Sequence, residues 1–341
     1  MRGQRHENLS RREFLTTMAA AGTGALFGFP SEPAIAEPPP ETKKIRLARS
    51  IATCWAPLYL AEELLQSEGF TDIQFVSPRD AGIADVLASG QADIGMGFVA
   101  PRILRLDAGE PIVILAGVHV GCFELFGVDR VRTIRELKGK QVAVNRIGSS
   151  SYVLISIILS NVGLDPRKDI NWVRGSEADS VRLLAEKKID AVLLSGSPPY
   201  PQELRAKKIG HVVLNSMVDR PWSQYFCCLA AANREFVRKH PAATKRALRA
   251  ILKAADNAAR EPAQAARFLV DKGYTRNYDY ALDALKDIPY GKWREFDPED
   301  TVRFYALRLH EIGMIKSSPQ KIIAQGTDWR ILRELKKELK G

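Results

Sequence analysis

Gly139-Lys140-Gln141-Val142-Ala143-Val144-Asn145-Arg146-Ile147-Gly148-Ser149-Ser150-Ser151-Tyr152 reads as a short apolar strand, Gln141 to Val144, feeding an apolar helix through a Gly and Ser loop. In that arrangement the first backbone N–H groups of the helix lack intrahelical partners, and the serine hydroxyls gather at the positive end of its dipole. The stretch therefore makes a seat for an anionic group. The dipole contributes about 0.3–1 kcal/mol, or about 2 kcal/mol when partly buried, so such a seat orients an acidic group but needs other walls to hold a solute. Ser149 acting as a plain helix cap is the competing reading.

Working outward, the same strand-to-helix rhythm recurs. Upstream, Pro38-Pro39-Pro40 is a stiff spacer, Ile45 to Ile51 a strand, and Thr53-Cys54-Trp55-Ala56-Pro57 leads into a helix from Leu58 to Gln66. Ile73 to Val76 is a second strand, left through Ser77-Pro78-Arg79-Asp80 into a helix from Ala81 to Ser89, and Ile112 to Val118 is a later strand ending at His119-Val120-Gly121-Cys122. Downstream come the helix Tyr152 to Asn161, the strand Ile170 to Val173 before Gly175-Ser176-Glu177, the helix Ser180 to Glu186, and the strand Ala191 to Leu194 before Ser195-Gly196-Ser197. Such alternation predicts parallel sheets covered by helices, with ligands beyond the carboxyl ends of the strands.

A weak internal repeat indicates that the sheet occurs twice. Asp85 to Ile94 resembles Arg182 to Ala191, each a helix end, a tight turn and an Asp entering a short apolar strand. Phe123 to Asp129 and Tyr225 to Ala231 then read as the two strands of a hinge between lobes. From Glu235 onward the chain reads as helical, with Trp293, Tyr305 and Trp329 as packing residues.

The 341 residues carry a net charge of +10, but Lys and Arg are interleaved with Asp and Glu along the whole chain rather than gathered in one face or run, so a nucleic-acid binder is not indicated. No zinc-finger spacing, Walker loop or HExxH is present, and the five histidines lie far apart. Neither a metal nor a cofactor is expected. Ser10-Arg11-Arg12-Glu13-Phe14-Leu15 is a twin-arginine export signal, followed by a weakly apolar stretch and by Ala34-Ile35-Ala36, a cleavage site with scission expected after Ala36. This places the chain in a bacterial periplasm. In such an oxidising compartment Cys54 and Cys122, each following a first-lobe strand, are candidates for a disulfide, whereas adjacent Cys227 and Cys228 seldom pair with each other.

Taken together, Ala56-Pro57-Leu58-Tyr59-Leu60-Ala61, Ala88-Ser89-Gly90-Gln91-Ala92-Asp93-Ile94-Gly95, Gly109-Glu110-Pro111-Ile112-Val113, Leu137 to Val144, Asn161-Val162-Gly163-Leu164-Asp165 and Lys188-Ile189-Asp190-Ala191 resemble the substrate-binding proteins of ABC importers in the nitrate, sulfonate and taurine class, which includes thiamine-pyrimidine binders. The resemblance implies an α/β clamshell of the type II-like periplasmic binding fold, each lobe a mainly parallel sheet flanked by helices, with a helical C-terminal region. Its expected divisions are 1–36 as the export signal, 37–126 and 227–341 as lobe one, and 127–226 as lobe two. It further implies a monomer that binds a small solute between its lobes and presents it to a membrane permease.

Carried onto this chain, the positions lining the site are Thr53, Cys54, Trp55, Arg79, Asp80, Phe98, His119 and Gly148-Ser149-Ser150-Ser151, with Ser195, Gly196 and Trp222 as looser assignments. Arg79 or Arg146 would supply a charge-assisted bond to a carboxylate or sulfonate, the alternative for each being a surface arginine. Asp80 would receive an amine or cap the following helix. Cys54 and Trp55 depart from the small polar residues suited to an inorganic oxyanion, and point to an organic solute with an acidic end and an apolar body. The rival from another class is an enzyme like the fungal pyrimidine-precursor synthases, which use a His and a cysteine-rich motif that Cys227-Cys228 is too short to match. A sensor reporting solute occupancy to a membrane kinase is a third reading.

Overall fold

The computed structural model describes residues 37–50, 52–77, 83–195 and 199–340. The stretch expected to be an export signal, with Arg11 and Arg12, the cleavage expected after Ala36, and Arg79, Asp80 and Gly196 lie outside them. Residues Pro39–Gly341 form one compact unit. It contains two five-stranded sheets of matching design. The first uses β1 (Lys44–Ala48), β2 (Asp72–Val76), β3 (Ile94–Phe98), β4 (Ile112–Val120) and β10 (Phe226–Asn233) in the order β2-β1-β3-β10-β4. The second uses β5 (Phe123–Gly127), β6 (Gln141–Val144), β7 (Asn171–Arg174), β8 (Ala191–Ser195) and β9 (His211–Asn215) in the order β7-β6-β8-β5-β9. In each sheet four strands run one way, and the fourth position is taken by an antiparallel strand: β10 in the first, β5 in the second.

The internal repeat has a physical basis in its aspartates. Asp93 donates its N–H to the Arg46 carbonyl at 2.8 Å and accepts the Arg46 N–H on its carboxylate at 2.7 Å. Asp190 does the same to Gln141, at 2.8 Å and 2.9 Å. Each buried carboxylate also holds an arginine, Arg46 in one lobe and Arg130 in the other. The Asp before β3 thus locks β1 in register, and the Asp before β8 locks β6 in the same way.

The hinge differs from the sequence expectation. Phe123 to Gly127 and Phe226 to Asn233 do not pair with each other; each is absorbed into the sheet it enters. The outward crossing is only Gly121-Cys122, whereas the return from β9 to β10 runs over 216–225 through the turn Trp222–Gln224. Gly121, at φ +46°, abuts the returning segment so closely that a Cβ there would stand 2.5 Å from Met217 Cα. Ser216 Oγ accepts the N–H groups of Cys122 at 3.1 Å and Phe123 at 2.8 Å. Both strands are buried along their whole length, which a five-stranded sheet provides and an isolated two-stranded ribbon does not.

Helices cover the sheets. α1 (Ala56–Ser67), α2 (Ile83–Ala88) and α3 (Val99–Asp107) belong to the first, and α4 (Ser150–Asn161), α5 (Glu177–Ala185) and α6 (Tyr200–Ala206) to the second. Seven further helices, α7 (Arg234–Lys239), α8 (Pro241–Arg260), α9 (Pro262–Asp271), α10 (Tyr278–Asp287), α11 (Pro298–Glu311), α12 (Pro319–Gly326) and α13 (Arg330–Glu338), follow β10. α8 packs along α1, and the turn Tyr290–Arg294 closes over β4. Trp293 is fully buried there and donates to Asp256 at 2.9 Å, as a packing tryptophan with a satisfied N–H should. Among the described residues no helix is long and apolar enough to cross a membrane.

Candidate functional site

A cavity of about 630 Å³ lies at the carboxyl ends of the strands of both sheets. Its lining follows strand exits in turn: Ser50, Ala52, Cys54 and Trp55 after β1, Gly97 and Phe98 closing β3, Cys122 after β4, Asn145 to Ser151 apart from Ile147 after β6, Glu177 after β7, and Ser195 ending β8. This is where an open α/β sheet presents a ligand site. The volume suits a small organic solute.

The second-lobe wall is built as the opening stretch predicts. Ser149 is the N-cap of α4, and its hydroxyl accepts the Tyr152 N–H at 3.3 Å and lies 3.1 Å from Ser151 Oγ. From Val153 to Leu159 the helix is buried, which fixes its axis and aims its N-terminus into the cavity. Gly148 stands at φ +80°, where a Cβ would meet nothing nearer than Arg146 Nη1 at 4.0 Å. The glycine is required there by backbone conformation, not by crowding. Arg146 and Asn145 share this rim. Glu177, first residue of α5, also lines the cavity, and burial pushes its carboxyl above the usual range.

The first-lobe floor has different chemistry. His119 lies across the ladder from Cys228, and Phe98 faces Cys228 from the other side. Cys54, in the turn Thr53–Trp55, and Cys122 complete a buried group in which one donor atom from each of Cys54, His119, Cys122 and Cys228 lies within 4.8 Å of the others. Cys227 faces the group as well, with its sulfur 2.8 Å from that of Cys122. His119 is fully buried; its Nδ1 lies 3.3 Å and 3.2 Å from the carbonyl oxygens of Val120 and Gly121, and its Nε2 has no hydrogen-bond partner. Bonds from the Cys122, Cys227 and Cys54 thiols hold Cys228 well below the ordinary thiol range, with His119 adding to the effect. Burial opposes charge on His119, yet the neighbouring Cys228 raises it well above the usual imidazole range. Burial pushes Cys227 up.

Aromatic rings and one cation support this floor. Phe98 packs edge-on against Phe123 and Tyr305 at 5.4 Å and 5.3 Å, and Tyr290 packs edge-on against His119 at 5.3 Å while donating to the Thr53 carbonyl at 3.3 Å. Arg102, 1% exposed, spends its guanidinium on the carbonyls of Gly97 at 2.6 Å, Gly95 at 3.2 Å and Leu229. Burial pushes it down to about 10, with Cys228 favouring its charge.

Of the positions singled out from sequence, Cys54, Trp55, Phe98, Arg146, Gly148, Ser149, Ser150, Ser151 and Ser195 lie together on the cavity wall. His119 sits beneath it. Thr53 is buried behind Cys54, and Trp222 packs on Phe304 at 5.8 Å, away from the lining. Sequence reasoning missed Glu177, Cys122 as a wall residue, and Cys228. Glu177 had a signal, since it follows a strand exit at the start of a helix. Cys228 had none, because only the insertion of β10 between β3 and β4 brings it to His119. The disulfide expected between Cys54 and Cys122 is not formed: all four cysteines are thiols, and Cys122 contacts Cys54 and, at 2.8 Å, Cys227.

Comparison with known proteins follows from this geometry. The model of the NMT1-like family matches residues 38–269. The chain belongs to the NMT1-like family. Among solved structures, this NMT1-like chain is similar to the periplasmic nitrate-binding protein NrtA from Synechocystis PCC 6803, with a TM-score of 0.74 and 16% identity over 89% of this chain and 90% of that one. It is also similar to the alkanesulfonate-binding protein SsuA from Xanthomonas axonopodis pv. citri bound to MOPS, with a TM-score of 0.64 and 19% identity over 81% and 96% of the two chains. These likenesses establish the periplasmic binding protein fold, the α/β clamshell expected from the sequence. By sequence, it is 23% identical over 286 residues to the 4-amino-5-hydroxymethyl-2-methylpyrimidine phosphate synthase THI11 of Saccharomyces cerevisiae, covering 73% of this chain and 83% of the yeast enzyme.

Proposed function

We propose that this NMT1-like chain is an exported solute-binding component of an ABC importer, a monomer acting in the periplasm after twin-arginine export and handing its solute to a membrane permease. The observation that carries this reading is the cavity shared by the carboxyl ends of both sheets, because a solute touching both walls favours closure by its differential affinity for the closed form. The solute-binding residues are Cys54, Trp55 and Phe98 on one wall and Arg146, Gly148, Ser149, Ser150, Ser151, Ser195 and Glu177 on the other. Serine hydroxyls, the α4 N-terminus and Arg146 suit an acidic end, the aromatics suit an apolar body, and Glu177 suits an amine or another hydrogen-bond donor. An organic molecule carrying both ends, such as an aminosulfonate or an aminopyrimidine with an acidic substituent, fits better than nitrate.

A thermal-shift screen of the full chain against sulfonates, aminosulfonates, carboxylates, nitrate, bicarbonate and aminopyrimidines tests this. A ligand at 100 times its dissociation constant adds about 2.7 kcal/mol to stability. Stabilisation by a two-ended solute above its one-ended analogues supports the reading; none by any of them overturns it. A second reading, a pyrimidine-precursor synthase, draws on the yeast relative together with the Cys and His floor. Turnover of an aminopyrimidine precursor, rather than its reversible binding, would favour that reading.

A further inference from the structure

The floor group comes from four separate segments: the turn Thr53–Trp55, the end of β4, the β4 to β5 crossing and the start of β10. Four such soft donors converging in the dry base of a cavity need an explanation beyond packing, since His119 leaves a buried ring nitrogen unsatisfied. Its other nitrogen faces carbonyl oxygens, so a neutral ring would keep its proton on Nδ1 and offer Nε2 as a metal donor. That is the outer support that metal-bound imidazoles have. We infer that Cys54, His119, Cys122 and Cys228 form a site for one thiophilic cation, Zn²⁺ or Cu⁺.

The geometry accommodates it. A tetrahedral ion with sulfur at about 2.3 Å and nitrogen at about 2.0 Å holds its donors roughly 3.5–4 Å apart. The donors here lie within 4.8 Å, so small rotamer shifts close the set. Three thiolates and one imidazole select for soft ions over Mg²⁺ or Ca²⁺, and the buried Arg102 cation beside the floor offsets the surplus negative charge. Binding releases the protons held by the thiols and by the His119 ring to solvent and leaves the sulfur oxidation state unchanged. Because Cys122 sits in the crossing between the sheets, the ion ties that crossing to the floor. Cys227 stands outside the set, although it is adjacent in sequence to Cys228 and touches Cys122.

The test uses the full chain, reduced and desalted without oxygen, titrated with Zn²⁺ against a chromophoric chelator and separately with Cu⁺ against a copper(I) chelator. Cobalt(II) in place of zinc reads the ligand set directly through thiolate-to-metal absorption. One equivalent bound, with a tetrahedral thiolate spectrum for cobalt, is the expected result; the tighter arm names the ion. Cys54→Ser, Cys122→Ser, Cys228→Ser and His119→Gln should each weaken binding by more than about 100-fold, the upper range for losing an outer support alone, while Cys227→Ser keeps the wild-type affinity. The inference is overturned by the absence of a stoichiometric ion in the reduced wild-type chain, by a cobalt spectrum without thiolate bands, or by Cys227→Ser and Cys228→Ser behaving alike. None of these outcomes depends on the solute of the cleft, so the importer reading is tested separately.

Discussion

The two walls of the cavity are made by different means. The first-lobe floor is dry and assembled from long-range pairing: His119 and Cys228 meet across a ladder, and Arg102 reaches carbonyls of both β3 and β10. The anion seat of the second-lobe rim is local, a loop, a cap and a helix start within fourteen residues, and Glu177 and Ser195 join it from other strand exits. A floor of that kind is specified by the whole sheet and is expensive to disturb, whereas a rim can change its ligand preference one residue at a time. The comparison predicts that floor substitutions act first on stability and rim substitutions first on binding.

The largest effect falls on Arg102. Arg102→Ala leaves the carbonyls of Gly95, Gly97 and Leu229 buried without this partner, and each unsatisfied acceptor costs about 1–3 kcal/mol. A loss on the order of 3–5 kcal/mol is expected by urea unfolding. Arg102→Lys should recover only part of it, because an ammonium lacks the planar fork that reaches carbonyls on two strands. Loss below about 1 kcal/mol would mean that the floor tolerates rearrangement, and the contrast between walls would disappear.

Gly148→Ala comes next. Its Cβ meets no steric obstacle, so the cost is the left-handed backbone, about 1–2 kcal/mol. If the loop relaxes to negative φ instead, Arg146 and Ser149 turn away, and solute affinity falls further than stability does. Ser149→Ala removes one cap bond and should cost about 1 kcal/mol in unfolding, with a separate loss in affinity for the acidic end of a solute. A stability loss with unchanged affinity would reduce Ser149 to a plain cap.

Much of the rim was legible in the sequence, and little of the floor was. The strand Gln141–Val144 stands where the apolar run placed it, and the seat at Ser149 follows from the cap and glycine at its end. The duplication was legible through Asp93 and Asp190, whose carboxylates have a fixed backbone task. The strand His211–Asn215 was not, because His211 and Asn215 bracket only three apolar residues and leave no pattern longer than a turn. Nor was the sulfur and imidazole floor. Its members are dispersed from residue 54 to residue 228, and spacing rules for metal sites detect only ligands that share a loop or a helix.

The smallest effect is the one that decides what the rim selects. Burial raises the Glu177 carboxyl in the folded chain, so the folded state binds its proton more tightly than the unfolded state does. Stability contributed by this group is therefore present at low pH and is lost as pH rises from the unfolded carboxylate range, about 4.3, through the raised folded value. Glu177→Gln should flatten that part of the stability profile and leave the neutral-pH fold slightly firmer, as measured by unfolding between pH 4 and 7. Its effect on binding is sharper in kind. A solute with an amine opposite Glu177 should lose affinity in Glu177→Gln while a purely anionic analogue seated at Ser149 and Arg146 gains, since a negative charge has left the same cavity. If both analogues respond alike, Glu177 does not select the second end of the solute, and the anion seat alone sets the preference of that wall.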